Sequence, residues 1–101
     1  MPYIKPEDRV GLDPHIEALT DAINKIVWGK PAVEIAGVLN YCITRVILRS
    51  LKNSFGSVRY WMSPLVRGVL QDVGDEFYRR KMHKYENQKI DENSDIPEYM
   101  E

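Results

Sequence analysis

Hydrophobic residues recur at intervals of three and four along most of this chain, which is the spacing of an amphipathic α-helix. In the first such segment Asp13 resembles an N-cap and Pro14 a first helical residue, and Gly29 follows as a terminator. The pattern therefore predicts a first helix over residues 14 to 27. Its apolar positions are Ile16, Leu19, Ile23 and Ile26.

The longest apolar segment predicts a second helix over residues 32 to 52. Asn40 and Thr44 lie one turn apart within its apolar sector, so two polar side chains are expected on an inward face. The opposite side of this helix carries its charged residues and one tyrosine. These are Glu34, Tyr41, Arg45, Arg49 and Lys52.

A third helix is predicted after the turn residues 53 to 57 and extends to residue 86, with an interruption at Pro64. This helix has an apolar stripe that ends at Phe77. Arg80 occupies the position that would continue the stripe, and Glu76 lies at its flank. Because a charge on a buried stripe needs a partner, we expect Glu76 to pair with Arg80, four residues later. The stripe consists of Met62, Val66, Val69, Val73 and Phe77.

No strand pair with a hairpin signal and no internal repeat occurs, so the predicted fold class is all-α. The chain of 101 residues has the size of one domain. We expect a three-helix, bundle-like domain over residues 14 to 86, in an oligomer. Prolines and Gly11 predict an extended N-terminal arm over residues 1 to 13, and residues 87 to 101 form an acidic tail.

Charge is segregated along the chain although the net charge is only -1. Residues 45 to 84 carry nine basic and three acidic side chains, whereas residues 85 to 101 carry six acidic side chains and Lys89. This division suits an anionic ligand or self-association, and it also occurs on surfaces without function. The acidic tail makes duplex DNA an unlikely partner, since it would repel phosphates.

Several classes of protein are not supported by the sequence. Cys42 is the single cysteine and lies in an apolar helix, which predicts an inert thiol in a reducing cytoplasm. No apolar run is long enough for a membrane span, and no secretion signal precedes the first helix. His83 and Glu76 lack the motifs of a metal site, and phosphate-binding glycine loops are missing, so neither a metal nor a cofactor is expected.

Asn40, Thr44, Glu76 and Arg80 form the first candidate cluster, because all four are predicted on inward faces of neighbouring helices. One interpretation is a structural ion pair whose hydrogen bonds Asn40 and Thr44 complete. Another is a pocket for a polar ligand, which amide, hydroxyl, carboxylate and guanidinium groups could recognise. A subunit interface is the third.

The second candidate cluster is a basic run with interleaved tyrosines. Arginine binds phosphate through parallel hydrogen bonds and tyrosine stacks on bases, so the run is competent to bind a nucleotide. A basic last turn is also what a helix C-terminus favours, because cations offset its dipole. The run comprises Tyr78, Arg79, Arg80, Lys81, Lys84 and Tyr85.

Four motifs along the chain occur together. They are Tyr3-Ile4 with Arg9 and Leu12-Asp13, then residues 37 to 45, then residues 68 to 70 with 76 to 80, and finally Tyr85-Glu86, Lys89-Ile90, Glu92-Asn93 and Asp95. In this combination the chain resembles a family of small uncharacterised proteins common in bacteriophage and prophage genomes. The family usually has Asn-Gly-Asp where this chain has Asn93-Ser94-Asp95, so a left-handed turn is less favourable here. Pro64 and residues 81 to 84 also depart from it.

The expected function is that of a non-enzymatic phage accessory protein, which binds an anionic, nucleotide-like molecule and sequesters a host antiviral signal in the bacterial cytoplasm. A structural or protein-binding module is the alternative, with a buried Glu76–Arg80 pair and Tyr3, Trp28 and Trp61 at an interface. An enzyme using Glu76 as acid or base is a third hypothesis. The expected ligand-binding residues are Asn40, Tyr41, Thr44, Glu76, Tyr78, Arg79, Arg80, Lys84, Tyr85 and Lys89.

Overall fold

The computed structural model describes residues 4–100 and is almost entirely helical. No strand occurs within these residues, and the all-α prediction is confirmed. A π-helical turn over Tyr78–Met82 joins the fourth helix to the fifth. The α-helices are α1 (Pro6–Arg9), α2 (Asp13–Val27), α3 (Glu34–Phe55), α4 (Met62–Phe77), α5 (His83–Asn93) and α6 (Pro97–Met100).

The chain divides into two compact units, Met1–Val58 and Arg59–Glu101. In the first unit α2 and α3 contact each other. In the second unit α4, the π-helical turn and α5 follow one another as a continuous helical segment.

Glycine ends both long helices of the first unit. Gly29 follows α2 with φ 73° and Gly56 follows α3 with φ 82°, a backbone conformation that glycine adopts without strain. The Gly56 N–H donates to the Lys52 carbonyl oxygen at 2.7 Å and so closes the last turn of α3. At the start of α2, Asp13 is already helical and makes no side-chain capping bond, so its predicted role as N-cap is wrong.

Both ends of the chain contain more helix than the sequence predicted. Pro6 opens α1 within the arm that was expected to be extended, and the Arg9 side chain donates to the Ile4 carbonyl oxygen at 3.3 Å. Residues 1 to 3, with Pro2 and Tyr3, lie outside the described residues. The last long helix continues past residue 86 to Asn93, and α6 forms within the segment expected to be a tail.

Very few side chains are buried within the chain. Among the hydrophobic residues that the structure describes, only Ile23 and Met62 are buried, at 9% and 1% exposure. The stripe on α4 was predicted to be a core face, yet Val73 and Phe77 are 62% and 59% exposed. Neither unit therefore has a substantial core of its own.

Within residues 4–100, no helix is both long enough and hydrophobic enough to span a lipid bilayer.

Candidate functional site

The π-helical turn contains the central residues of the basic run. The His83 N–H donates to the carbonyl oxygen of Tyr78, five residues earlier, so this turn holds one residue more than an α-helical turn. As a result Met82, rather than Lys81, lies one turn after Phe77. An unbroken α-helix would place Arg80 and Lys81 in line with the apolar stripe, and the extra residue moves Arg80 to its edge.

The sequence predicted a pair between Glu76 and Arg80, and this prediction is wrong. Glu76 pairs with Arg79 instead. One guanidinium nitrogen of Arg79, Nη2, donates to Oε1 at 2.8 Å and to Oε2 at 2.7 Å. The side chains are 67% exposed for Arg79 and 26% exposed for Glu76, so this is not a buried ion pair. Arg80 is exposed. Both spacings, three and four residues, bring side chains together on a helix, and in the structure Glu76 takes the partner three residues later.

Tyr78 is held across the π-helical turn by Glu86. Its hydroxyl donates to the Glu86 carboxylate, eight residues later, and this hydrogen bond raises the pKa of Tyr78 above its ordinary value. The Tyr78 and His83 rings lie with their centroids 6.3 Å apart. Tyr78 is therefore fixed between two residues of α5.

Three basic side chains around this turn have no acidic partner. Arg80, Lys81 and Lys84 are exposed and make no hydrogen bond or ion pair with another described residue. Arg80 and Lys84 are four residues apart, which places the three charges within about one turn of each other. Below we call Arg80, Lys81 and Lys84 the cation cluster.

Tyr85 and Lys89 continue from the cation cluster along α5. The Lys89 ammonium lies 5.6 Å from the centroid of the Tyr85 ring and forms an ion pair with Glu92 at 3.1 Å. Tyr85 is 58% exposed, so solvent reaches much of this side chain. Lys89 is thus largely neutralised, whereas the ring of Tyr85 remains available for stacking.

The predicted site residues on α3 are also exposed. The Thr44 hydroxyl donates to the Asn40 carbonyl oxygen of its own helix at 2.7 Å. Neither residue is buried, so the inward position predicted for both is not found within the chain. Asn40 and Thr44 belong to the first unit, Glu76 and Arg80 to the second, and a contact between these pairs stays a prediction.

An open groove on α3 was missed by sequence reasoning. Its volume is about 290 Å³, and two arginines one turn apart give it positive charge. Arg45 Nη1 donates to the Tyr41 hydroxyl at 2.8 Å, which fixes that guanidinium beside the ring. The four-residue spacing of Tyr41, Arg45, Arg49 and Asn53 could have indicated this row. The groove is lined by Arg45, Val46, Arg49, Ser50 and Asn53.

No group of three histidine, cysteine, aspartate or glutamate side chains suited to a metal ion occurs in the described part of the chain. Cys42 is a free, half-buried thiol.

Comparison with known proteins identifies one family. A model with the description "Domain of unknown function (DUF6899)" matches residues 1–96. No curated protein and no solved structure matches the chain significantly.

Proposed function

The chain belongs to this family of unknown function, whose membership supplies no activity, and we propose a function from its own residues. We propose that the protein binds a compact anionic molecule that carries phosphate groups, such as a nucleotide. The observation that carries this proposal is the cation cluster, three basic side chains within about one turn that pair with no carboxylate among residues 4–100. We also propose that the protein is a phage-type accessory protein, which sequesters a nucleotide-like host antiviral signal in the bacterial cytoplasm.

Electrostatic repulsion supports an anion at the cation cluster. Like charges one helical turn apart destabilise a helix, and a bound phosphate converts that repulsion into attraction. The guanidinium of Arg80 offers parallel donors to phosphate oxygens, and Lys84 adds a flexible ammonium. Arg79 has a smaller role than the sequence predicted, because Glu76 already neutralises it.

Aromatic rings beside the cluster favour a nucleotide over inorganic phosphate. Tyr85 follows Lys84 directly and exposes its ring, and base–aromatic stacking contributes about 1–3 kcal/mol per base. Tyr78 is held by Glu86 and offers a second aromatic ring near the cluster in sequence.

The proposed function is ligand binding without catalysis. Glu76 is the acid–base candidate, but both of its carboxylate oxygens accept from Arg79, which favours the ionised form and leaves a weak general base. An enzyme using Glu76 is therefore the least favoured hypothesis.

A structural or protein-binding module is the second candidate function. The observation that favours it is the exposure of large aromatic side chains: Trp28 is 86% exposed and Tyr60 94% exposed. Aromatic residues of this kind are enriched at protein interfaces. In this hypothesis Trp61 contributes to the same kind of surface, while a Glu76–Arg80 pair no longer has a part.

Calorimetric titration of the full chain with a panel of linear and cyclic nucleotides tests the proposal. We expect the double variant Arg80→Gln and Lys84→Gln to lose at least tenfold in affinity for any nucleotide that binds. The matched control is Arg45→Gln with Arg49→Gln, which removes the same charge from the groove on α3 and should retain affinity.

The opposite result, with loss only in the control, would move the site to the groove. No heat and no rise in melting temperature with any nucleotide would overturn the proposal in favour of the interaction module. Recovery of altered nucleotide after incubation would point to the enzyme.

A further inference from the structure

We propose that the π-helical turn is a conformational switch with two states, and that the side chain of Tyr78 holds it in the state that the structure shows. In this first state, the π state, the turn contains its extra residue. In the second state, the α state, an unbroken α-helix runs through residues 78 to 82 and displaces every later residue by one position. The inference rests on contacts within the second unit and is independent of nucleotide binding.

The hydrogen bond between Tyr78 and Glu86 spans the whole turn and requires the extra residue. In an unbroken α-helix, side chains eight positions apart point about 80° away from each other, toward different faces. The extra residue gives Glu86 the place of a seventh position, about 20° from Tyr78 and two turns along the same face. The Tyr78 hydroxyl therefore reaches the Glu86 carboxylate in the π state and loses it in the α state.

The ring contact between Tyr78 and His83 is a second observation with the same dependence. Their centroids are 6.3 Å apart, although a separation of five positions on an α-helix turns side chains about 140° away from each other. In the π-helical turn the His83 N–H donates to the Tyr78 carbonyl oxygen, so His83 lies one turn after Tyr78. Both contacts of the Tyr78 side chain are thus specific to the π state.

The backbone opposes these contacts, because the α-helix is the common conformation and the π-helical turn a rare one. Phe77 and His83 have α-helical dihedral angles, whereas Met82 has φ -100° and ψ -30°. The two states therefore differ by adjustments within the helical region and not by unfolding. Since one hydrogen bond changes an equilibrium roughly fivefold, loss of the Tyr78 contact is enough to shift two states of similar free energy.

The switch changes which side chain follows the apolar stripe of α4. Met82 lies one turn after Phe77 in the π state, and Lys81 takes that position in the α state. A binding partner that donates a hydrogen bond to Glu86 competes with Tyr78, and it would favour the α state. Occupation of this one carboxylate would thereby replace an apolar side chain on the stripe by a cation.

Scalar couplings across hydrogen bonds, measured by NMR on the full chain of 11.8 kDa, test this inference. The His83 amide couples to the Tyr78 carbonyl in the π state and to the Arg79 carbonyl in the α state. We expect the first coupling in the wild-type protein. Tyr78→Phe and Glu86→Ala should weaken it and strengthen the second, as the ratio of the π state to the α state falls roughly fivefold.

Two matched variants separate this hydrogen bond from general effects of substitution. Glu86→Gln keeps an acceptor oxygen and should retain the wild-type coupling between His83 and Tyr78. Tyr99→Phe removes a hydroxyl group from a residue of α6 that is 81% exposed, and it should also leave this coupling unchanged.

Absence of the coupling between His83 and Tyr78 in the wild-type protein would overturn the inference, whether or not the variants fold. An unchanged coupling in both Tyr78→Phe and Glu86→Ala would show that Tyr78 does not hold the turn. Loss of both couplings in these variants would show that the pair maintains the helix itself, and it would also overturn a switch between two helical states.

Discussion

Both carboxylate oxygens of Glu76 accept from a single nitrogen of Arg79, Nη2, at 2.8 and 2.7 Å. Arg79 is thereby neutralised, and Arg80, Lys81 and Lys84 remain without an acidic partner among the residues that the structure describes. This pair therefore lowers the net positive charge at the π-helical turn.

Glu76→Gln should therefore strengthen anion binding. Removing the carboxylate releases Arg79 and eliminates a negative charge close to the bound phosphate. We expect nucleotide affinity to increase severalfold and to fall more steeply with added salt, as measured by calorimetry at two ionic strengths. Asp75→Asn is the control, since it removes the same charge from a residue that contacts Gln71. Equal gains in both variants would mean that only net charge matters.

Tyr78 should make folding stability sensitive to alkaline pH. Its hydrogen bond to Glu86 raises the Tyr78 pKa above the ordinary value of 10.0, so the folded chain retains the phenolic proton more strongly than the unfolded chain. The contribution is complete below pH 10 and is lost as the pH rises through the higher, folded-state pKa. Urea unfolding at a series of pH values from 8 upward measures this loss.

The Tyr78→Phe variant should lack that alkaline component and unfold more easily at neutral pH. Tyr99→Phe is the control for tyrosine ionisation in general, because Tyr99 is 81% exposed. If wild type and Tyr78→Phe lose stability in parallel above pH 10, the hydrogen bond does not contribute.

Ser94→Gly should stabilise the end of α5. Ser94 has φ 69° and ψ 155°, a combination that is essentially restricted to glycine. We expect a gain of about 1 kcal/mol in the free energy of unfolding and slower amide exchange in the last turn of α5. Ser94→Ala retains the Cβ atom and should give no gain. A gain with alanine as large as that with glycine would show that the backbone is not strained.

Gly68→Ala and Gly74→Ala should also be stabilising. Both glycines lie in α4, and a Cβ atom at either position meets nothing within 4 Å. Since alanine favours an interior helical position over glycine by about 1 kcal/mol, chemical denaturation should show a gain of that size for each. Gly56→Ala should have the opposite effect, because φ is 82° there. A loss of stability at Gly68 or Gly74 would contradict this prediction.

The helix ends were largely predictable, because glycine and proline act through local backbone geometry. Gly29 and Gly56 end α2 and α3 close to the positions that the pattern predicted. Residues 87 to 93 appeared too polar for helix, yet they continue α5. Local pairs such as Lys89 with Glu92 support the helix there, and hydropathy alone does not reveal them.

The geometry of the candidate site was not predictable from the sequence. Glu76 has basic residues three and four positions later, and the sequence alone does not select between them. A π-helical turn leaves little periodic signal, although the five-residue step from Phe77 to Met82 is consistent with it. Asn40 and Thr44 were placed inward by the apolar sector of α3, but burial depends on what surrounds that helix, which hydropathy does not define.

The extra residue in the π-helical turn sets the direction in which α5 presents its side chains. Relative to an unbroken α-helix, it rotates every later residue by roughly 100° about the helix axis. Tyr85 thereby comes into line with Phe77, where a regular helix would place Lys84. Deleting one residue from the turn would leave the length and composition of the helix nearly unchanged and yet turn α5 by more than a quarter of a revolution. The rotation of α5 about its axis therefore determines whether aromatic or cationic side chains continue the apolar stripe.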